Sequence, residues 1–322
     1  MIADTIQNFA VMLAKGRPDE EEFLLASGNE SFQLPVKILS YAPQSRNIVL
    51  TFHGAVDQQV RPIPFYFGEK IAARFSSNAT VIAIADPSIR LAKTLLYTWY
   101  AGDHEVRTQQ LIGSLCDELQ RHIEPKKFVF LAGSSGAHPA LLHSHAIENS
   151  YCIVVNPLTK ISAQRIHIDR YRPQCWPKIS EQDVFGKLVF DDITDLYASG
   201  YRNKVIVLQN CFDTYLGPQV LPLVTALAAG DQFVFLSEFF STHIGHTYPA
   251  EPYDRWIGAV LSDRSGNLVE ISKLATRGGG SKPASVVAAN GGGASKQSVD
   301  SAAIALADRL AADVLSSRLE VI

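Results

Sequence analysis

Ser135, Asp213 and His246 have the types and the chain order needed to pass a proton from an alcohol to an imidazole backed by a carboxylate. A serine hydroxyl is a poor nucleophile at neutral pH and becomes reactive when an adjacent imidazole accepts its proton. The imidazole in turn needs a carboxylate to fix its tautomer and to stabilise the imidazolium. Ser135 lies in Gly133-Ser-Ser-Gly-Ala137, directly after the apolar run Lys127–Ala132 and before the helix-like Pro139–Ile147. Strand, tight turn and helix in that order expose a serine on a strained turn, and the residues two positions either side must be small. Gly133 and Ala137 meet that need. Pro139 falls in the first helical turn, where a missing N–H costs nothing. Ser134 occupies the variable position and is expected to point away from the chemistry. Two neighbouring serines are an ambiguity, and Gly-Ser-Ser-Gly is also the composition of a plain loop.

Asp213 follows the apolar run Lys204–Gln209, and His246 follows Gln232–Ser237. His243 competes with His246 for the role of base. Gly245 and Thr247-Tyr-Pro249 give His246 a turn that can project it inward, while His243 lies closer to the strand. The spacing of the two histidines would suit a metal pair, but no third ligand lies nearby in sequence, so no metal is expected. Asp86, before Pro87, is the rival carboxylate and reads as a cap on the following segment. His143 and His145, two positions apart, face different sides of a helix and read as structural. Upstream, Arg46–Phe52 ends in His53-Gly54-Ala55. Backbone N–H groups at Gly54 and Ala55, with that of Gly136 after the serine, would form an oxyanion hole. Losing one such donor typically costs ~3–4 kcal/mol of transition-state stabilisation. His53, Trp99, Tyr100 and Trp176 are candidates to line the substrate pocket; core packing is an equal reading for Trp99 and Tyr100.

The residues must be carried by elements that bring distant loops together. Strand-like runs occur at Phe32–Tyr41, Asn47–Phe52, Thr80–Ala85, Lys127–Ala132, Tyr151–Val155, Lys204–Gln209 and Gln232–Ser237. Most are short, continuous and rich in Val, Ile and Phe, as in strands of a parallel sheet buried on both faces. Helical segments alternate with them; in Glu105–Ile123, Leu111, Leu115 and Leu119 recur at i, i+4. The expected class is α/β, and a parallel sheet brings its strand ends to one edge.

On His53-Gly54, Gly133-x-Ser135-x-Ala137, Asp213 and His246, taken in order over roughly residues 33–262, the chain resembles the α/β-hydrolase superfamily. That resemblance implies a mostly parallel sheet of about eight strands flanked by helices, and acyl-transfer chemistry. Phe52-His-Gly-Ala55, Ile84-Ala-Asp-Pro87, Thr98-Trp-Tyr-Ala-Gly102 and Val155-Asn-Pro157 are similar to a branch found among bacterial surface-polysaccharide proteins, some of which are sugar O-acetyltransferases. The implied activities are hydrolysis of an acyl ester of a small or glycan substrate, or acyl transfer to a sugar with acetyl-CoA as co-substrate. No cofactor is otherwise expected. A non-catalytic binding or assembly protein on the same fold is the third reading.

The 322 residues suit one large domain, and hydrophobic content of 47% supports a substantial core. A net charge of -3 gives no electrostatic case for nucleic-acid binding. No apolar stretch approaches the ~20 residues of a membrane span, and the N-terminus lacks a basic region before an apolar one. The four cysteines are scattered, with no Cys-x-x-Cys pair. A cytoplasmic location is expected. Residues 1–32 read as a helical extension and 33–275 as the catalytic domain. Residues 156–203 read either as a lid, whose basic excess would favour an anionic substrate, or as a solvated helical crossover. Residues 276–298 read as a flexible linker, and 299–322 as an amphipathic helix able to self-associate.

Overall fold

The computed structural model describes residues 2–16, 21–27, 33–240, 242–277 and 285–288. Its centre is one ten-stranded sheet in the order β1-β2-β3-β5-β4-β6-β7-β8-β9-β10. The strands are β1 (Ile2–Thr5), β2 (Glu22–Ala26), β3 (Leu34–Ser40), β4 (Asn47–Phe52), β5 (Thr80–Ile84), β6 (Lys127–Gly133), β7 (Tyr151–Val155), β8 (Lys204–Asn210), β9 (Phe233–Glu238) and β10 (Ser285–Ala288). From β5 through β9 every neighbouring pair is parallel. β3 runs antiparallel to both β2 and β5, and β10 antiparallel to β9. The mostly parallel sheet of the sequence reading is therefore present, with two further strands, β1 and β2, at one edge and one, β10, at the other.

The helices are α1 (Ile6–Lys15), α2 (Glu69–Phe75), α3 (Thr108–Ile123), α4 (Ala137–Ser144), α5 (Arg165–Cys175), α6 (Glu181–Asp183), α7 (Ile193–Ala198), α8 (Leu221–Leu227), α9 (Ala250–Ser262) and α10 (Leu268–Thr276). They cover both faces, and the period of two along each strand sorts the core. Ile48, Leu50, Phe52, Phe130 and Val207 point to α1, α3, α4, α7 and α8. Val49, Val81, Leu131, Ile153 and Leu236 point to α2, α9 and α10. A third apolar cluster sits outside the sheet and joins Leu95, Tyr97, Trp99 and Ala101 to Leu158, Ile168, Tyr171, Trp176 and Val184. The segment after β7 is thus a helical cap with its own core, seated on the loop after β5. Among the described residues no helix is long and apolar enough to cross a membrane.

Residues 1–32 depart from the helical extension expected of them. Among the described residues of this stretch only α1 is helical; β1 and β2 flank it and extend the sheet, paired parallel to each other. Phe23 and Leu25 point into the core on one side of β2, a pattern too short to distinguish from a helical stripe beside the acidic run Asp19–Glu22. Within the expected linker, Ser285–Ala288 pairs with β9 as an edge strand. Its other residues beyond α10 and Arg277, and the helix expected at 299–322, lie outside the described residues.

Candidate active site

β6 ends at Gly133, a 3-10 turn covers Ser134–Gly136, and α4 follows at once. Ser134 has φ +55, the left-handed region that costs a residue with a side chain roughly 1–2 kcal/mol. The surrounding hydrogen bonds hold it there: Ser134 O accepts from the N–H of Ala137 and of Leu158, the latter at 3.1 Å. Gly136 crosses the end of β4 so closely that a Cβ on it would sit 2.6 Å from His53 O and 2.8 Å from Phe52 O. Glycine is required at that crossing.

The hydroxyl that meets the imidazole is that of Ser134, at 2.8 Å from His246 Nε2. His246 Nδ1 lies 2.8 Å from Asp213 Oδ2. An ionised carboxylate only accepts, so Nδ1 carries the proton, donates it to Asp213, and leaves Nε2 to accept from the Ser134 hydroxyl. Ser135, the expected nucleophile, is 1% exposed, and its Oγ is buried without a hydrogen-bond partner among the described residues. The pattern around the imidazole-bonded serine therefore reads Ala132-x-Ser134-x-Gly136, one residue earlier than the sequence reading placed it. Its required glycine is the one whose backbone touches β4.

Neighbouring side chains hold the other two members in place. Asp213 Oδ1 accepts from Tyr215 N–H at 2.9 Å, and Oδ2 from Gln209 Nε2 at 3.2 Å. Two buried asparagines clamp the loop that carries His246. The Asn210 side-chain amide donates to the carbonyls of His243, Gly245 and Thr247. Asn156 Nδ2 donates to Thr247 O at 3.0 Å, while its Oδ1 accepts the Asn210 N–H at 2.9 Å. Sequence reasoning gave neither asparagine a role; the only signal was Asn156 in Val155-Asn-Pro157. His243, the alternative base, turns elsewhere: its Nδ1 pairs with Thr242 Oγ1 at 2.9 Å and its ring packs on Phe240.

The turn after β4 abuts the serine. A Cβ on Gly54 would lie 3.3 Å from Ser134 Cβ. His53 is not a pocket residue but a buried strut. Its Nδ1 donates to Gly54 O at 2.7 Å and its Nε2 accepts the Asp86 N–H at 3.0 Å. Burial lowers its pKa and keeps the ring neutral. The C=O and N–H of one trans peptide point opposite ways, so this bond turns the exposed Ala55 N–H away from the His53 ring. Gly136 also changes place: with the imidazole-bonded serine at 134, the following residue is Ser135, and Gly136 is the packing contact already described.

Asp86 caps, as its position before proline suggests, and also does more. Its carboxylate accepts from Thr98 Oγ1 at 2.6 Å, Tyr100 N–H at 2.9 Å and Ser88 N–H at 3.2 Å, while burial raises its pKa. These bonds hold Trp99 and Tyr100 at φ +52 and +56. Neither aromatic lines a pocket, because each is 1% exposed. The Tyr100 hydroxyl accepts from His53 N–H and donates to Ile84 O. Trp176 is wholly buried, with its Nε1 donating to Tyr171 Oη at 2.7 Å. The aromatic ring beside the site is instead that of Tyr215, 5.0 Å from the His246 ring and nearly perpendicular to it.

Behind the Ser134–Gly136 turn, α4 buries His138, whose Nε2 donates to Asp191 O at 3.2 Å. Burial holds its pKa down at about 4. Between that value and 6.5 the unfolded chain binds a proton that the folded chain refuses, so this contribution is intact above pH 6.5 and is lost as pH falls toward 4. From pH 7 to pH 5 the protein is expected to lose roughly 2 kcal/mol more stability than a His138→Gln variant. Urea unfolding at the two pH values measures the difference.

No protein-family model matches the chain, and no curated protein matches it. Solved structures do. A puromycin hydrolase superposes with a TM-score of 0.52 at 15% identity, over 81% of this chain and 40% of that one. The glycosylation-associated protein complex of Streptococcus agalactiae gives 0.51 at 13% identity, over 76% of this chain and 47% of that one. This chain thus spans less than half the length of either. The esterase Pf2001 of Pyrococcus furiosus gives 0.49 at 13% identity, over 77% of this chain and 91% of that one. At such identities the likeness bears on architecture alone. Strand order, sheet direction and the first two of these matches agree, and the chain has the α/β-hydrolase fold.

Proposed function

We propose that this protein is a serine hydrolase that cleaves an acyl ester through an acyl-enzyme intermediate. The observation that carries this reading is the unbroken relay from Ser134 Oγ through His246 to Asp213, both links 2.8 Å long. Ser134 Oγ attacks the ester carbonyl carbon while its proton passes to His246 Nε2. Asp213 stabilises the imidazolium through Nδ1–H. The carbonyl oxygen, now negative, accepts hydrogen bonds from the backbone N–H of Ser135 and of the Gly54–Ala55 turn. His246 then gives the proton to the departing alcohol, and a water activated by the same Nε2 releases the acid.

Transfer of the acyl group to an acceptor hydroxyl, such as that of a sugar, shares the first half of this sequence. Hydrolysis is favoured because the His246 side chain retains 27% exposure, which gives water a route to Nε2. A non-catalytic assembly role is disfavoured by the strained backbone of Ser134, which a scaffold has no need to maintain. The test is p-nitrophenyl acetate with and without a glycan acceptor. We expect p-nitrophenol and free acetate, with one acetyl group trapped on the protein at low pH. Transfer to the acceptor in preference to water would replace hydrolysis by acyl transfer, and no release above the buffer rate would end both.

A further inference from the structure

At the edge of the cap lies a group of donors that the proposed reaction does not use, one of them carried by the ring beside His246. Tyr215, whose ring touches His246, packs against the apolar cluster of the cap that contains Tyr97. The Tyr97 ring lies 4.6 Å from that of His167 on α5. His167 and Arg170 are three residues apart on that helix and therefore share a face. Arg170 is close enough for its positive charge to act on both Tyr97 and His167, and the Tyr215 phenol is close enough to act on Tyr97. Three other cations of the cap are paired with carboxylates, Lys160 with Asp192, Arg165 with Glu181 and Asp169, and Lys187 with Asp183, and Arg172 donates to Ile179 O. Among the described residues the Arg170 guanidinium and the Tyr97 and Tyr215 hydroxyls have no hydrogen-bond or ion-pair partner.

We infer that Arg170, Tyr97 and Tyr215 form a subsite for an anionic group carried by the substrate, so that the preferred ester bears a carboxylate or a similar oxyanion besides its scissile bond. A guanidinium together with two phenol hydroxyls offers charge-assisted bonds to such a group. This inference rests on the proposed hydrolysis at Ser134.

Paired esters test it without knowledge of the natural substrate. Mono-p-nitrophenyl glutarate against p-nitrophenyl valerate places the charge on the acyl side. 4-Acetoxybenzoate against its methyl ester places it on the alcohol side. In at least one pair the acidic member is expected to exceed its neutral partner by about tenfold in kcat/KM, and Arg170→Gln is expected to bring that ratio near one. Arg170 is exposed, so the substitution does not threaten the fold. If the neutral esters are cleaved but neither pair shows the preference, or if it survives in Arg170→Gln, the subsite is overturned and the hydrolase reading stands. If no ester is cleaved, the hydrolase reading falls and the subsite with it.

Discussion

Ser134→Ala is expected to lower kcat/KM by roughly 10⁴-fold or more, whereas Ser135→Ala stays within about fivefold of the parent. The first substitution removes the hydroxyl that, among the described residues, contacts His246 Nε2. What remains is the residual rate from the oxyanion donors and substrate binding. The second removes a buried hydroxyl that has no hydrogen-bond partner among the described residues and leaves the backbone N–H in place. Deleting an unsatisfied buried hydroxyl is close to neutral or stabilising. Steady-state hydrolysis of p-nitrophenyl acetate by the two variants, with circular dichroism to confirm folding, separates the adjacent serines.

Asp213→Asn is the second large effect, with kcat expected to fall by roughly 10³–10⁴-fold while the fold persists. The carboxylate now accepts the His246 Nδ1 proton and, at the same time, bonds from Gln209 and from the Tyr215 backbone. An asparagine amide can turn its NH₂ toward Nδ1, which moves the imidazole proton to Nε2, where it faces Ser134 and cannot receive another. The carboxylate charge that stabilises the imidazolium is lost as well. A rate within tenfold of the parent would mean that the imidazole does not depend on this carboxylate. KM is expected to change little, because Asp213 is buried behind the imidazole.

The inner sheet was legible because its strands are buried on both faces. Asn47–Phe52 and Lys204–Asn210 are buried at every position, and such runs read as continuous Val, Ile, Leu and Phe. The edges were not. β1 spans four residues, too few for a period to show, and β2 is buried mainly through Phe23 and Leu25 beside an acidic run. β10 lies in a glycine- and serine-rich stretch, where composition suggests a linker and only pairing with β9 supplies the missing backbone partners.

At the site, Asp213 and His246 stand out in sequence because each lies in the loop that follows a strand. The serine was harder to place. Gly133-x-Ser135-x-Ala137 and Ala132-x-Ser134-x-Gly136 each replace one glycine by alanine, so small-residue spacing fits both. Two facts of three dimensions decide between them. β6 continues to Gly133, which puts the strained residue at 134. The close approach to His53 O falls at Gly136, where alanine cannot stand, whereas Ala137 is an ordinary first helical residue. Trp99, Tyr100 and Trp176 looked like pocket residues because large aromatics beside a loop have no intrinsic sign of which way they face; Asp86 and Tyr171 turn them inward. The Asn156–Asn210 clamp was invisible for a related reason, since its partners are backbone carbonyls far along the chain.

The most direct test is the position of a covalent adduct. Folded protein treated with a fluorophosphonate, digested and sequenced by fragment-ion mass spectrometry is expected to carry the phosphonyl group on Ser134, with labelling lost after heat unfolding. A group found on Ser135, or no labelling of the folded protein, would contradict the account.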